Sequence, residues 1–244
     1  MLVQDPIRTA VIVGSTREGR FGDTVARWFI EWTAQRSDIE VDLIDLAEVE
    51  LPAVMTKITP PQVQEMVDRI ADADAFVIIT PEYNHGYPAS LKLALDAARE
   101  EWMAKPVAFV SYGGISGGLR SVEQLRQVCA ELHMTSIRDG VSFHMCHSLF
   151  DEAGRLKNPA GPEAAANTML DRLLWWANAL RDARTNRPYA ADRLHITPEQ
   201  NPDRAGPLMA TIKEDVKCAE QFSMNSTAVT PQRTRLFIAI RPMR

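Results

Sequence analysis

An apolar run, Ala10-Val11-Ile12-Val13, breaks into Gly14-Ser15-Thr16-Arg17-Glu18-Gly19-Arg20-Phe21-Gly22-Asp23-Thr24 and then into a helical pattern, and no other stretch restricts the fold of this chain as strongly. It reads as strand, anion loop, helix. Gly14, Gly19 and Gly22 let the backbone bend, the hydroxyls of Ser15, Thr16 and Thr24 donate, and Arg17 and Arg20 bring positive charge to a helix N-terminus. There is no Gly-Lys-Ser/Thr, so the nucleoside-triphosphate loop is a poor match. The glycines fall five and three apart, whereas the dinucleotide fingerprint places them two and three apart. A single terminal phosphate is the better fit; a plain polar turn between strand and helix is the alternative that the loop alone leaves open.

The rest of the chain alternates in the same way. Phe21, Val25, Trp28, Phe29 and Trp32 form a helical stripe that Ser37-Asp38 ends, and Val41 to Leu46 reads as a second strand. A helix from about Gln62 to Ala73 leads to a third strand, Asp74 to Thr80, apolar on both faces as a central parallel strand should be. Pro88 suits the start of a helix running from Ala89 to Glu101. Lys105 to Tyr112 is a fourth strand, Leu119 to about Leu132 a helix, Thr135 to His144 a fifth strand interrupted at Arg138-Asp139-Gly140, and Glu163 to Asp182 the last helix. Five strands alternating with helices imply an open parallel sheet covered on both faces.

A chain of 244 residues with 45% hydrophobic and 24% charged content is long enough to bury one sizeable core. No apolar run approaches the ~20 residues that span a bilayer, and Met1 to Pro6 lacks a charged segment leading into an apolar one, so no membrane association and a cytoplasmic location are expected. Cys129, Cys146 and Cys218 are odd in number and far apart, which indicates neither a disulfide framework nor a zinc knuckle. The body, residues 1–183, is acidic and the remainder, 184–244, basic; the acidic body argues against nucleic acid as a partner. Residues 184–244 are expected to be a mostly irregular extension punctuated by prolines, with hints of a helix at Leu208 to Phe222 and a strand at Leu236 to Ile240.

Ligands of open parallel sheets bind outside the carboxyl ends of the strands. Three unusual loops leave strands one, three and four: the Ser/Arg loop, Pro81-Glu82-Tyr83-Asn84-His85-Gly86, and Ser111-Tyr112-Gly113-Gly114 with Gly117-Gly118. One suits phosphate, one offers an aromatic ring among polar groups, and one is glycine-rich enough for a flat ring to approach its backbone.

The segments GSTREGRFGDTVARW, TPEYNHGYPASLKLALD and KPVAFVSYGGISGGLRSVEQLR resemble the NADPH-dependent FMN reductase family, which includes quinone, chromate and azo reductases; the similarity covers about residues 7 to 180. The resemblance implies a flavodoxin-like three-layer α/β/α sandwich with a five-stranded parallel sheet in the order 2-1-3-4-5, residues 1–183 being the FMN-binding reductase domain. It also implies noncovalent FMN, NADPH or NADH as hydride donor, and a homodimer or homotetramer. Carried over by position, phosphate contacts fall on Ser15, Arg17, Arg20, Phe21, Gly22, Asp23 and Thr24, and ring contacts on Pro81, Glu82, Tyr83 and Asn84. Ser111, Tyr112, Gly113, Gly114, Gly117 and Gly118 line the pyrimidine side. Many relatives carry Ser and Asn where Arg20 and Gly22 stand.

The implied activity is hydride transfer from NAD(P)H through FMN to a small-molecule electron acceptor such as a quinone or free flavin; the alternative is a flavodoxin-like electron carrier or FMN-binding regulatory module without NAD(P)H turnover. Nicotinamide C4 can pass hydride directly to flavin N5, so no catalytic acid or base is named. Tyr83 and His85 are candidates for contacting the second substrate, with a plain turn histidine the alternative for His85. His144-Met145-Cys146-His147 lacks metal-ligand spacing on a strand, so no metal site is expected. Of Trp175-Trp176, one ring is expected inward and the other at an edge or a subunit contact, and the resemblance implies Leu91, Leu95 and Trp102 at a contact between subunits.

Overall fold

The computed structural model describes residues 5–54 and 59–189. The strands are β1 (Ile7–Val13), β2 (Ile39–Asp45), β3 (Ala75–Pro81), β4 (Pro106–Tyr112) and β5 (Thr135–Phe143). They pair in parallel in the order β2-β1-β3-β4-β5. The helices are α1 (Gly22–Thr33), α2 (Pro61–Asp72), α3 (Ala89–Asp96), α4 (Leu119–Glu131), the short α5 (Cys146–Leu149) and α6 (Ala160–Asn186), with a 3-10 turn at Glu100–Trp102. Alternation of side chains along each strand divides the core in two. Val11, Val13, Val77, Ile79 and Val110 pack with α1 and α6 on one face, and Ala10, Ile12, Phe76, Ile78 and Phe109 pack with α2, α3 and α4 on the other. Every residue of β3 and β4 is buried, which is why both read as continuous apolar runs.

Four expectations are corrected. The helix from Ala89 stops at Asp96 because Trp102 folds inward: its indole N–H donates to the Leu95 carbonyl at 3.1 Å and its ring meets Phe76 edge-on at 4.8 Å. Leu91, Leu95 and Trp102 are thereby fully buried against their own sheet and offer nothing to a partner subunit. Trp175 and Trp176 both lie outside, 63% and 38% exposed, because the buried stripe of α6 runs through Met169, Leu170, Leu173, Leu174 and Ala177. The interruption expected at Arg138-Asp139-Gly140 is a bulge within one strand. Val107 pairs with Ser136 but Phe109 pairs with Gly140, and a Cβ at residue 140 would stand 2.9 Å from the Phe109 carbonyl oxygen.

The last helix continues to Asn186, where Arg184 donates to the Ala104 carbonyl at 2.6 Å and pairs with Asp74 at 3.2 Å. The helix and strand expected at Leu208–Phe222 and Leu236–Ile240 lie outside the described residues. No helix among the described residues is long and apolar enough to cross a membrane.

Candidate functional site

The loops after β1, β3 and β4 meet at a cleft of about 260 Å³, toward the small end of ligand sites in general. Ser15 does not line it: it is fully buried behind Tyr83, whose hydroxyl it bonds at 2.5 Å. Over that tyrosine lies the Arg17 guanidinium, 4.2 Å from the ring centroid, and Arg17 has no carboxylate partner among the described residues. α1 starts here at Gly22 with no side-chain cap, so its first amide N–H groups face the loop without a protein acceptor.

Arg20, expected at the phosphate, lines the cleft but is already held by carboxylates. One of its nitrogens donates to the Ser15 carbonyl at 2.5 Å, both bond the Asp45 carboxylate at the end of β2, and Asp23 pairs with it at 2.6 Å. Hydrogen bonds donated to Asp45 hold this guanidinium even more firmly protonated than usual, against the opposing effect of burial. Two carboxylates neutralise Arg20, so it braces the loop against β2 while Arg17 keeps the uncommitted charge. Asp23 and Thr24 sit on the first turn of α1 and do not line the cleft.

Pro81, Glu82 and Tyr83 form the second wall. The Glu82 side chain is turned into protein: it accepts from Ser116 Oγ at 2.6 Å and from Arg120 Nη1 at 2.9 Å and backbone N at 3.2 Å. Burial works against its ionisation, and these hydrogen bonds outweigh it, leaving the carboxyl below its ordinary 4.5. Asn84 and His85 are the exposed tip of a two-residue turn, both at positive φ, closed by bonds between Tyr83 and Gly86 in both directions. Neither lines the cleft.

Within the third loop Tyr112, Gly113 and Gly114 reach the cleft, and Ser111, Gly117 and Gly118 do not. Ser111 is buried and donates to the Gly117 carbonyl at 2.8 Å. Gly118, at φ +84°, is glycine because a Cβ there would fall 2.7 Å from Ser111 Cβ and 2.8 Å from the Tyr112 nitrogen. These residues shape the loop from beneath. The Tyr112 hydroxyl is buried and has no hydrogen-bond partner.

A fourth loop, after β5, completes the site and escapes the sequence reading. Met145 and Cys146 donate backbone N–H bonds to the Gly114 and Gly113 carbonyls at 2.8 and 3.0 Å. Cys146 and His147 consequently line the cleft, as do Gly19 and Phe21, and the His147 ring meets that of Phe21 at 4.6 Å. The signal lay in topology: β5 neighbours β4, so its carboxyl end opens on the same rim. A depression of about 180 Å³ near the start of β1 pairs Arg69 with Asp42 and Arg8 with Asp72, with Glu40 also on its wall. No group of three potential metal ligands stands together among the described residues.

The site has therefore an uncommitted cation, an uncapped helix start and an unpartnered hydroxyl at one end, and glycine backbone with aromatic and proline walls at the other. An NAD(P)H-dependent FMN reductase of Schizosaccharomyces pombe is 38% identical over 133 residues, 51% of this chain and 66% of that protein. An NADPH:quinone oxidoreductase of Arabidopsis thaliana is 35% identical over 131 residues, 50% of this chain and 66% of that one, so the matches span just under two thirds of these two relatives. A quinone reductase of Pseudomonas putida is 28% identical over 181 residues, 70% of this chain and 95% of its own length. Among solved structures, a flavoenzyme NAD(P)H:(acceptor) oxidoreductase from Paracoccus denitrificans shares the fold with a TM-score of 0.59 at 22% identity, over 71% of this chain and 98% of that one. The family model described as NADPH-dependent FMN reductase matches residues 7–148, and the chain belongs to that family.

Proposed function

We propose that the chain is an FMN-dependent oxidoreductase that takes hydride from NAD(P)H and passes electrons to a quinone, free flavin or similar small acceptor. The observation that carries this reading is the unequal cleft, whose β1–α1 end offers the unpaired Arg17 guanidinium and the uncapped start of α1 while its other walls are aromatic, proline and glycine backbone. A molecule that is anionic at one end and flat at the other satisfies both halves. The relatives named as FMN and quinone reductases support the same assignment. When bound, FMN supplies the two-electron chemistry; the chain's residues grip and orient. Arg17 and the first amides of α1 would hold the phosphate, and Pro81, Tyr83, Gly113 and Gly114 would border the ring.

Cytoplasmic residence and assembly as a homodimer or homotetramer belong to the same proposal. The buried free thiols of Cys129 and Cys146 support a reducing compartment, and the resemblance alone supports the oligomer, which light scattering measures directly. A visible spectrum of the purified protein with added FMN, followed by NADPH oxidation with menadione or FMN as acceptor, tests the enzyme. Flavin uptake with turnover is expected. Flavin uptake without turnover would make the chain an electron carrier, and failure to take up flavin would overturn the reading.

A further inference from the structure

Of the buried side-chain polar atoms among the described residues, two lack a hydrogen-bond partner: Trp28 Nε1 in the core and Tyr112 Oη at the cleft. The second is unusual in its setting. Tyr112 ends β4, is 4% exposed, and packs its ring 6.2 Å from Phe21. Its hydroxyl lies against residue 22, the first of α1, where a Cβ would stand 2.8 Å away. Other atoms near that point are at ordinary distances, Val13 Cγ1 at 3.4 Å and Arg20 Cδ at 3.8 Å, and Gly22 has no positive φ that would demand glycine. The missing side chain at residue 22 thus makes room for one atom, the tyrosine oxygen. A buried hydroxyl without a partner is unfavourable, and phenylalanine would fill the same space without that penalty.

Resting on the FMN reading above, we infer that the Tyr112 hydroxyl is a hydrogen-bond donor to the phosphate of the flavin mononucleotide, acting beside the uncapped start of α1. Burial above all, then the neighbouring Tyr83, raises the phenol well above its ordinary 10.0 against the opposing pull of the nearby Ser15 hydroxyl, so it stays protonated at neutral pH. A donor is what a phosphate requires there. Ser15 is meanwhile engaged with Tyr83 and Arg20 with Asp45 and Asp23, so Tyr112 and Arg17 are the side chains left uncommitted at this end.

The test compares FMN and riboflavin binding to wild type, Tyr112→Phe, Gly22→Ala and the double variant by fluorescence titration, with melting of each flavin-free protein. Tyr112→Phe is expected to weaken FMN binding at least tenfold, leave riboflavin binding unchanged, and melt no lower than wild type because no bond is lost. Gly22→Ala is expected to weaken FMN binding by displacing the hydroxyl, and to add no further loss in the Tyr112→Phe background. FMN binding within twofold of wild type in Tyr112→Phe, an equal loss for riboflavin, or a clear fall in melting temperature would each overturn the inference. Wild type that binds FMN and oxidises NADPH, alongside a Tyr112→Phe that binds FMN as well, would overturn this inference alone; wild type that binds no FMN would overturn both.

Discussion

The two ends of the cleft are built on opposite terms. At the glycine-rich end every polar group named above is answered from within: Glu82 by Ser116 and Arg120, the Gly113 and Gly114 carbonyls by Cys146 and Met145, Ser111 by Gly117. At the β1–α1 end Arg17 has only the face of Tyr83, α1 is uncapped, and Tyr112 has no partner. A self-satisfied wall is rigid before a ligand arrives, whereas an end with unmet donors gains its bonds from the ligand. Substitutions at the first end are therefore expected to change the stability of the flavin-free protein, and those at the second to change affinity.

The largest effect is expected at Gly118. Alanine there must adopt φ +84° and place a methyl carbon within 3 Å of Ser111 and Tyr112. Strain and overpacking together give a loss of roughly 2–5 kcal/mol in denaturant unfolding. Gly114→Ala is the control four residues away, since nothing lies within 4 Å of its Cβ; it is expected to stay within about 0.5 kcal/mol of wild type. If the two variants unfold alike, the wall is not preformed.

Arg17→Ala addresses the other end. Loss of a charge-assisted contact to phosphate is worth roughly 1.5–3 kcal/mol, about tenfold to a hundredfold in FMN affinity. The flavin-free protein loses only the stacking on Tyr83, at most about 1 kcal/mol. Titration with FMN and a melt without it separate the two. Unchanged affinity would mean that the anion is held elsewhere.

The same division explains what the sequence made legible. The parallel sheet was readable because buried strands are apolar runs between helical stripes, and strand ends pointed to the rim. The sheet order came from the family resemblance, not from the residues. The division of labour between Arg17 and Arg20 was hidden, because it depends on Asp45, which lies 25 residues from Arg20 in the chain and reaches it only through the pairing of β1 with β2. Glu82 was hidden likewise: a carboxylate in a binding loop looks like a ligand contact until the start of α4 is seen to claim it. Trp102 shows the converse, an aromatic after a helix that resembled an interface and proved to be core.

The smallest and sharpest test concerns Arg20, a member of the β1–α1 loop that behaves like the other wall. Burial disfavours ionised Asp45, but hydrogen bonds from Arg20, the Ala47 amide and their attraction outweigh it, so its carboxyl titrates below the ordinary 3.8. A depressed carboxyl contributes stability that is fully present above the unfolded value and is lost as pH falls through the folded one. Both side chains are mostly buried, 10% and 19% exposed, which places the pair between surface and interior cases, about 1–2 kcal/mol. Arg20→Met is expected to lower stability by that amount at pH 7. The gap to wild type should close as both are titrated below pH 3.8, where Asp45 takes up its proton. Urea unfolding at several pH values measures it. A gap that stays constant down to the acid limit would show that Arg20 braces the loop by packing and not by its charge.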